Sequence, residues 1–442
     1  MNQAKRPGRS PGAAGNLRQA LGRIRRRLIH HQRSTFLVAS GLSTAGSFAG
    51  LTAKGWLLMH GSHNPLILAL NFAALCLPTL LVSGPAGVAT DRLGSETVLI
   101  RAQWGLFAAG VLGAVAIPLS QGTLQVALLL FSTLGVGLAS AYELTARNKL
   151  CALLVDEPAQ LGPYLTSFSV VFNVGKLVGP PIGGLLLAAL GPVAALGLDA
   201  ASYLLPIAAL TWLMAPHREQ EQRSQRGQAA SVARAWRDCG PGLRQVLRFT
   251  ALACLVGFFH PGLAPLIAND LLGSSPQALG LFTSVLAAGS ICGGLILQRH
   301  SQQLCRKPAL LLGTSALVTA LAQLGMAAAT GTATAVPASL AMAFLIGAGT
   351  ACLLAGANLI TQVTAPQVLR GRMAGLAQVA FLGGGGLSGL LAASLTLLYG
   401  LQACFALLGS LGVVIALVEL RNRGSQRLEQ DHGQEPVPIR SA

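Results

Sequence analysis

Twelve predominantly apolar stretches of about twenty residues or more limit what this chain can fold into. A helix needs about 20 apolar residues to cross the hydrocarbon core of a membrane. The stretches predicted to do so are residues 35–59, 66–88, 98–118, 121–146, 161–190, 193–214, 248–270, 276–297, 308–329, 334–363, 373–399 and 401–420. We therefore predict an all-α membrane protein with twelve transmembrane helices.

The scarcity of charge supports the same fold class. Only 10% of the residues are charged and 52% are hydrophobic, whereas soluble domains carry about a quarter charged residues. The 53 glycines are suited to close helix packing, because lipid supplies no hydrophobic contrast between helices. The 8 cysteines are scattered and form no Cys-x-x-Cys or Cys/His cluster, so neither a metal nor another cofactor is expected.

The positive charges predict the orientation. All but two of the 31 lysines and arginines fall on one side of a twelve-helix arrangement. Because basic residues concentrate on the cytoplasmic side, both termini are expected in the cytoplasm of a cell with a bacterial-type membrane. The net charge of +17 then reflects topology and attraction to anionic membrane lipid, so no nucleic-acid partner is expected.

The two halves of the chain resemble each other weakly. The matching positions are Gly87-x-x-x-Asp91-Arg92 with Gly294-x-x-x-Gln298-Arg299, Asn148 with Asn358, and Gly179 with Gly386. Matches in the same orientation predict two parallel six-helix repeats. The predicted divisions are a basic tail (1–34), an N-terminal half (35–214), a linker (215–247), a C-terminal half (248–420) and a second tail (421–442).

Three segments carry a family resemblance. GVATDRLG, from Gly87 to Gly94, resembles the loop signature of major facilitator transporters, although Ser95 and Glu96 replace the two basic residues that usually follow. SAYELTARNKLCALLV from Ser140 and APQVLRGRMAGL from Ala365 resemble the enterobactin-exporter-like, or transmembrane secretion effector, branch. The resemblance implies a carrier that moves a small molecule by alternating access.

The loop supplies the candidate gating residues Gly87, Asp91, Arg92 and Gly94, and the cytoplasmic end of the fourth span supplies Glu143 and Arg147. A carboxylate is favoured at a helix N-terminus, and the resemblance implies that Asp91 meets the eleventh helix near Arg372. Glu143 and Arg147, four residues apart, share a helix face and can continue an ion-pair chain from Arg92. The alternative is a solvated loop and helix end that only maintain topology.

The fifth stretch contains GKLVGPPIGG, which resembles the antiporter motif of exporters. Its candidate residues are Gly175, Gly179, Pro180, Gly183 and Gly184. Gly175, Gly179 and Gly183 form one smooth stripe along the helix, and Pro180 kinks the helix. Ordinary close packing of membrane helices is the alternative interpretation.

Ionisable groups within spans are candidates for coupling or substrate binding. Lys176 and Asp199 lie at similar predicted depth and can pair, as a functional or a purely structural contact. Lys54 is expected near the outer end of the first helix, where its amine can reach water. Asp270 is expected at the interface. His260, beside Pro261 near mid-depth, is either a titratable cavity residue or an ordinary buried neutral histidine.

Together these features predict a monomeric secondary transporter that exports a small organic molecule in exchange for protons. No ATP-binding Gly-x-x-x-x-Gly-Lys-[Ser/Thr] motif is present, and no nucleophile or metal constellation indicates an enzyme. The alternatives within the fold are a metabolite importer and a lysophospholipid flippase. A non-transporting membrane sensor or scaffold is the alternative of another class.

Overall fold

The structure is a computed structural model that describes residues 32–62, 64–154, 158–213, 240–305, 307–329, 335–364 and 370–421. The predicted N-terminal tail, most of the predicted linker and nearly all of the C-terminal tail lie outside the described residues. The predicted boundaries of those segments therefore stay predictions.

Seven helices each correspond to one predicted span. They are α1 (Gln32–Ser62), α2 (Pro65–Leu93), α3 (Ser95–Leu119), α4 (Gly122–Leu153), α8 (Pro276–Cys305), α9 (Pro308–Ala329) and α10 (Ala335–Thr364). The ends of α2 show how the sequence sets these bounds. The Asn64 side chain caps the N-terminus by accepting the Leu66 amide at 2.9 Å, and Pro65 occupies the first turn. Gly94, with a φ of 86°, allows the turn into α3.

The other spans are broken or joined at identifiable residues. The segment Pro158–Ser202 breaks at Gly191, whose φ is 80°, into α5 (158–190) and α6, which continues through Leu204–Ala208 and the π-turn Ala209–Leu213. The segment Arg370–Arg421 breaks at Gly400, whose φ is 85°, into α11 (370–399) and α12 (401–421). The helix α7 consists of two pieces, Pro241–Gly257 and His260–Leu272.

The all-α fold class is confirmed. Ten continuous helical stretches within the described residues are long and apolar enough to cross a membrane. Two of them are 42 and 43 residues long and contain the breaks at Gly191 and Gly400, which is consistent with the predicted twelve spans. The predicted boundaries at 190–193 and 399–401 coincide with these two glycines.

The same packing pattern appears in both halves, as parallel repeats require. In the first half, α4 packs against α2 and α3; in the second, α10 packs against α8 and α9. Gly110 of α3 contacts Ala200 of α6, and Gly313 of α9 contacts Leu420 of α12 in the equivalent arrangement. Each half is thus a six-helix bundle whose small residues allow the helix axes to approach closely.

The bundle has two distinguishable ends. We call the end at which α1 begins and α2 meets α3 the basic end, and the end at which α1 meets α2 the far end. A hydrophobic cluster in the far part of the molecule combines residues of both halves, including Leu58, Leu68, Ile267, Leu279 and Phe282. The two halves are therefore pressed together there.

The halves diverge toward the basic end. The far piece of α7, His260–Leu272, contacts α1 and α2 of the other half. The basic-end piece, Pro241–Gly257, makes its main contacts with helices of its own half. Within the described residues the contacts between the halves, such as those of Gly184 with Pro276 and of Gly383 with Leu80, thus lie in the far part and the middle of the bundle. We infer that the molecule is closed at the far end and that the space between the halves faces the basic end.

Candidate transport site and gates

The glycine stripe of α5 packs directly on α1. A methyl group added at Gly175, Gly179 or Gly183 would lie 3.1 Å or less from a backbone atom of α1 between Thr44 and Ala49. The α1 and α5 backbones can approach this closely only because these positions lack side chains.

The other motif residues lie on the contact between the two halves. Gly184 lies against the backbone of Pro276 in α8, and Gly280 of α8 lies against Pro180. The Ser284 hydroxyl of α8 donates a hydrogen bond of 2.9 Å to the Leu177 carbonyl. The motif thus joins α1 on one side and α8 on the other, so it contributes to closure of the far end.

At the basic end, Asp91 is paired within its own half. The Lys149 amine lies 3.4 Å from the Asp91 carboxylate and donates to the Thr90 carbonyl at 3.3 Å. The Asp91 side chain is 64% exposed and the Lys149 side chain is 35% exposed, so this pair contributes little stability. Sequence reasoning missed Lys149, although it lies in the same family-like segment as Glu143. The predicted contact of Asp91 with the start of α11 stays a prediction, because the side chains of that turn lie outside the described residues.

Glu143 and Arg147 form an ion pair on α4. Their closest atoms are 3.0 Å apart, and the side chains are only 14% and 18% exposed. The Arg147 guanidinium also lies 5.6 Å from the centre of the Phe168 ring of α5, within reach of a cation–π interaction. Arg92 is exposed and has no ion-pair partner among the described residues. The predicted series of ion pairs from Arg92 to Glu143 and Arg147 is therefore not formed in this conformation.

Lys54 is buried in the first half, not at a water-exposed helix end as predicted. It is 5% exposed, and its amine donates a 3.0 Å hydrogen bond to Ser132 of α4. The Ser132 hydroxyl in turn donates to the Ala109 carbonyl of α3 at 2.7 Å. Gly113 of α3 makes room beside the lysine stem, which is why the side chain packs inward.

Asp199 of α6 faces Lys54 and not Lys176, which corrects the predicted pairing. The carboxylate is 6% exposed and packs against Gly50 of α1, one turn from Lys54. Lys54 interacts with it electrostatically, without a direct ion pair, and Tyr203 lies within reach of the same group. The Asp199 Oδ1 atom has no hydrogen-bond partner in the described part of the chain. The prediction failed because depth along a helix does not fix which neighbour a side chain faces.

The Tyr203 hydroxyl extends this polar group toward α1 by accepting a 3.0 Å hydrogen bond from Ser47. Three helices of the first half, α1, α4 and α6, thus contribute to one buried polar cluster, which we call the interior cluster: Ser47, Lys54, Ser132, Asp199 and Tyr203. It interrupts the apolar packing of this half, and buried charges of this kind carry function in membrane proteins more often than stability.

His260 is enclosed within the second half. It is 1% exposed and begins the far piece of α7. Its ring stacks on Phe259 at 4.2 Å between centroids and lies 5.7 Å from Phe405 of α12. Neither ring nitrogen has a well-formed hydrogen bond in the described residues, and only the Gly257 backbone lies close. Asp270, by contrast, is exposed near the end of α7.

Two similar six-helix bundles, closed together at one end and apart at the other around buried ionisable groups, define a secondary membrane transporter of the major facilitator fold. The chain belongs to the transmembrane secretion effector family, whose profile matches residues 28–439. This family and the relatives below are transporters, not enzymes.

Curated relatives include multidrug efflux pumps. The chain is 27% identical over 383 residues to the multidrug efflux pump Tap of Mycolicibacterium fortuitum, covering 84% of this chain and 90% of that protein. It is 25% identical to Tap of Mycobacterium tuberculosis, covering 87% and 92%. A more distant relative is the staphyloferrin A transporter of Staphylococcus aureus, 23% identical over 60% of this chain and 66% of that protein.

Solved structures show the same fold. The nucleoside transporter NupG superposes with a TM-score of 0.67 at 13% identity, covering 88% of this chain and 98% of that one. A bacterial homolog of the human lysosomal transporter Spinster, in an inward-facing and unoccupied conformation, gives a TM-score of 0.64 at 15% identity, covering 90% and 93%.

Proposed function

We propose that this protein exports a small organic molecule across the cytoplasmic membrane in exchange for protons, working as a monomer in contact with anionic lipid. Its similarity to multidrug efflux pumps over more than four fifths of both chains supports the direction of transport. Importers and flippases of the same fold remain the alternatives that an experiment must separate.

The orientation follows from charge. Basic loops and helix ends gather at the basic end, so this end faces the cytoplasm by the positive-inside rule. In this orientation the space between the halves opens to the cytoplasm, where an exporter collects its substrate. The termini are then cytoplasmic as well.

The observation that carries the coupling proposal is the Asp199 carboxylate in the interior cluster. It is buried beside a lysine that it does not contact directly, and one of its oxygens has no hydrogen-bond partner in the described residues. A proton bound there removes the counter-charge of Lys54 and changes how α1 and α6 attract each other. The α5 motif packs on α1 on one side and on α8 of the other half on the other side. A movement of α1 is therefore expected to alter the contact between the halves.

Flux in everted membrane vesicles tests the proposal. Energised vesicles that contain the protein should accumulate at least one dye of a panel of anionic, neutral and cationic fluorescent compounds, and a protonophore should abolish the accumulation. Vesicles that contain the Asp199→Asn variant at equal abundance should show no gradient-driven accumulation. Accumulation only in right-side-out vesicles would indicate an importer, and accumulation that survives the protonophore would exclude proton coupling.

A further inference from the structure

We infer that Lys176 binds an anionic group of the transported molecule, so that the favoured substrates are aromatic organic anions. This inference rests on the proposed transport function and specifies its substrate class. It follows from the direction in which Lys176 points, from the aromatic side chains at the same depth and from the balance of interior charge.

The direction follows from the contacts of α5. One face, formed by Gly175, Gly179 and Gly183, packs on α1 of the same half. A second face, around Pro180 and Gly184, packs on α8 of the other half. Successive residues of an α-helix are rotated by about 100°. Lys176 therefore projects between these two faces, into the angle between α1 and α8.

The lipid-facing side of α5 lies elsewhere. Val174, Val178, Ile182 and Leu185 are 42–59% exposed and occupy the opposite angle of the helix. Lys176 is only partly buried, which places its exposed part in the space between the halves and not in lipid. Helical side chains lean toward the helix N-terminus, which for α5 is the basic end, where that space opens.

Aromatic rings surround the same level. Phe48 of α1 and Phe172 of α5 meet edge to face at 5.4 Å, and Phe172 is 46% exposed. Across the space, Phe258 of α7 lies 4.9 Å from Phe381 of α11 and 6.2 Å from Phe72 of α2. The depths match because Gly55 of α1 contacts Pro265 of α7, and Phe48 and Phe258 each lie about two turns closer to the basic end.

The charge balance identifies the sign of the ligand. Glu143 pairs with Arg147, and Asp199 interacts with Lys54. Lys176 has no ion-pair partner among the described residues, and burial without a counter-charge is its main electrostatic feature. An uncompensated cation inside a membrane protein is costly, so an anionic group of a ligand that docks against the neighbouring rings would be stabilised there.

The test uses two xanthene dyes of similar shape and opposite charge. Fluorescein is anionic at pH 7.5 and rhodamine 6G is cationic. Their equilibrium binding to the full-length protein in phosphatidylcholine nanodiscs is measured by fluorescence anisotropy. The wild-type protein should prefer fluorescein. Lys176→Gln should weaken fluorescein binding about tenfold, as loss of a charge-assisted hydrogen bond implies, and should leave rhodamine 6G binding unchanged or tighter.

Two further variants isolate the charge. Lys176→Arg should retain most of the fluorescein affinity, and Arg101→Gln, which removes a positive charge from the exposed face of α3, should retain all of it. The inference is overturned if the wild-type protein binds neither dye, if it prefers rhodamine 6G, or if Lys176→Gln weakens both dyes equally or neither.

Fluorescein flux in everted vesicles separates this inference from the proposed function. Selective binding that depends on Lys176 but produces no uptake would contradict the transport proposal and leave the site in place. Uptake that is equal in wild-type and Lys176→Gln vesicles would contradict the site and leave the transport proposal in place.

Discussion

At the scale of single residues, Lys54 and Asp199 are two buried charges of opposite sign. Each is nearly fully buried, so neither charge is well solvated alone, yet they do not form a direct ion pair. Such an arrangement is poor for stability and good for switching, because a single proton changes its net charge from zero to +1. The Ser132 hydroxyl supplies the hydrogen-bond acceptor that the Lys54 amine lacks on the side of Asp199.

Removing one partner of this pair should therefore cost more than removing both. We expect Lys54→Met or Asp199→Asn alone to lower the free energy of unfolding by about 3 kcal/mol, because the remaining charge is buried without compensation. The double variant should recover most of that loss but none of the transport. Thermal unfolding of detergent-purified protein measures the first effect and vesicle flux the second. Transport by the double variant at the wild-type rate would remove the pair from the mechanism.

His260 is expected to behave as a packing residue. Its ring is enclosed by Phe259 and Phe405 and is not reached by water in this conformation, and protonation without access to water is strongly disfavoured. His260→Gln should lower the yield of folded protein, while the surviving protein keeps the wild-type pH profile of transport between about pH 5.5 and 7.5, around the reference histidine pKa. A flattened profile at normal abundance would instead assign the coupling proton to His260.

At the scale of one element, helix α5 uses two sets of its own glycines to pack against two different helices. Gly179 meets α1 within the first half, and Gly184 meets α8 across the two halves. A side chain at the first position disturbs the bundle itself, whereas one at the second disturbs only the closure of the far end. The two positions are thus separable by experiment, although they lie in one motif.

Valine substitutions should show this separation. Gly179→Val is expected to reduce protein abundance severalfold, because its side chain would overlap the Ala45 carbonyl. Gly184→Val should insert normally but hold the far end open, which increases labelling, by an impermeant maleimide, of a cysteine introduced at the buried Leu279. Gly197→Val on α6, where a methyl group meets nothing within 4 Å, is the matched control. Equal labelling in Gly184→Val and control protein would contradict the assigned role.

The sequence predicts where a helix begins and ends better than it predicts which side chains of other helices its residues contact. The helix breaks at Gly191 and Gly400 were predictable because a glycine interrupts each long apolar run. The partner of Asp199 was not, because apolar helices in lipid lack the polar face that reveals their rotation in soluble proteins. Lys149 was missed as the partner of Asp91 for a related reason, since a flexible lysine reaches several neighbours and its position indicates none of them.

At the scale of the whole molecule, the closed far end and the separated basic end are one of two states that a carrier must visit. The far end is held by apolar packing and close backbone contacts between the halves. The basic end carries charges that are satisfied within one half, such as Asp91 with Lys149. This asymmetry suits a molecule in which weak, exchangeable ion pairs decide when the basic end closes.

Asp91 is the residue on which that closure is expected to depend. When the halves meet at the basic end, its carboxylate can leave Lys149 and approach the N-terminus of α11, a contact worth about 1 kcal/mol. Asp91→Asn keeps the shape of the side chain and removes this attraction. We therefore expect the variant to insert normally, to shift the population about fivefold toward the conformation described here, and to transport more slowly.

Distances between nitroxide labels at Leu93 and Lys307 measure this shift, because these two exposed positions lie at the basic end on opposite halves. Wild-type protein should show a long and a short distance, and Asp91→Asn should lose most of the short one. Asp270→Asn, the same change at the far end, should leave the distribution as it is in the wild type. If Asp91→Asn gives wild-type distances and wild-type flux, Asp91 is an ordinary loop residue, and closure of the basic end must depend on other contacts, with the Glu143–Arg147 pair the next to test.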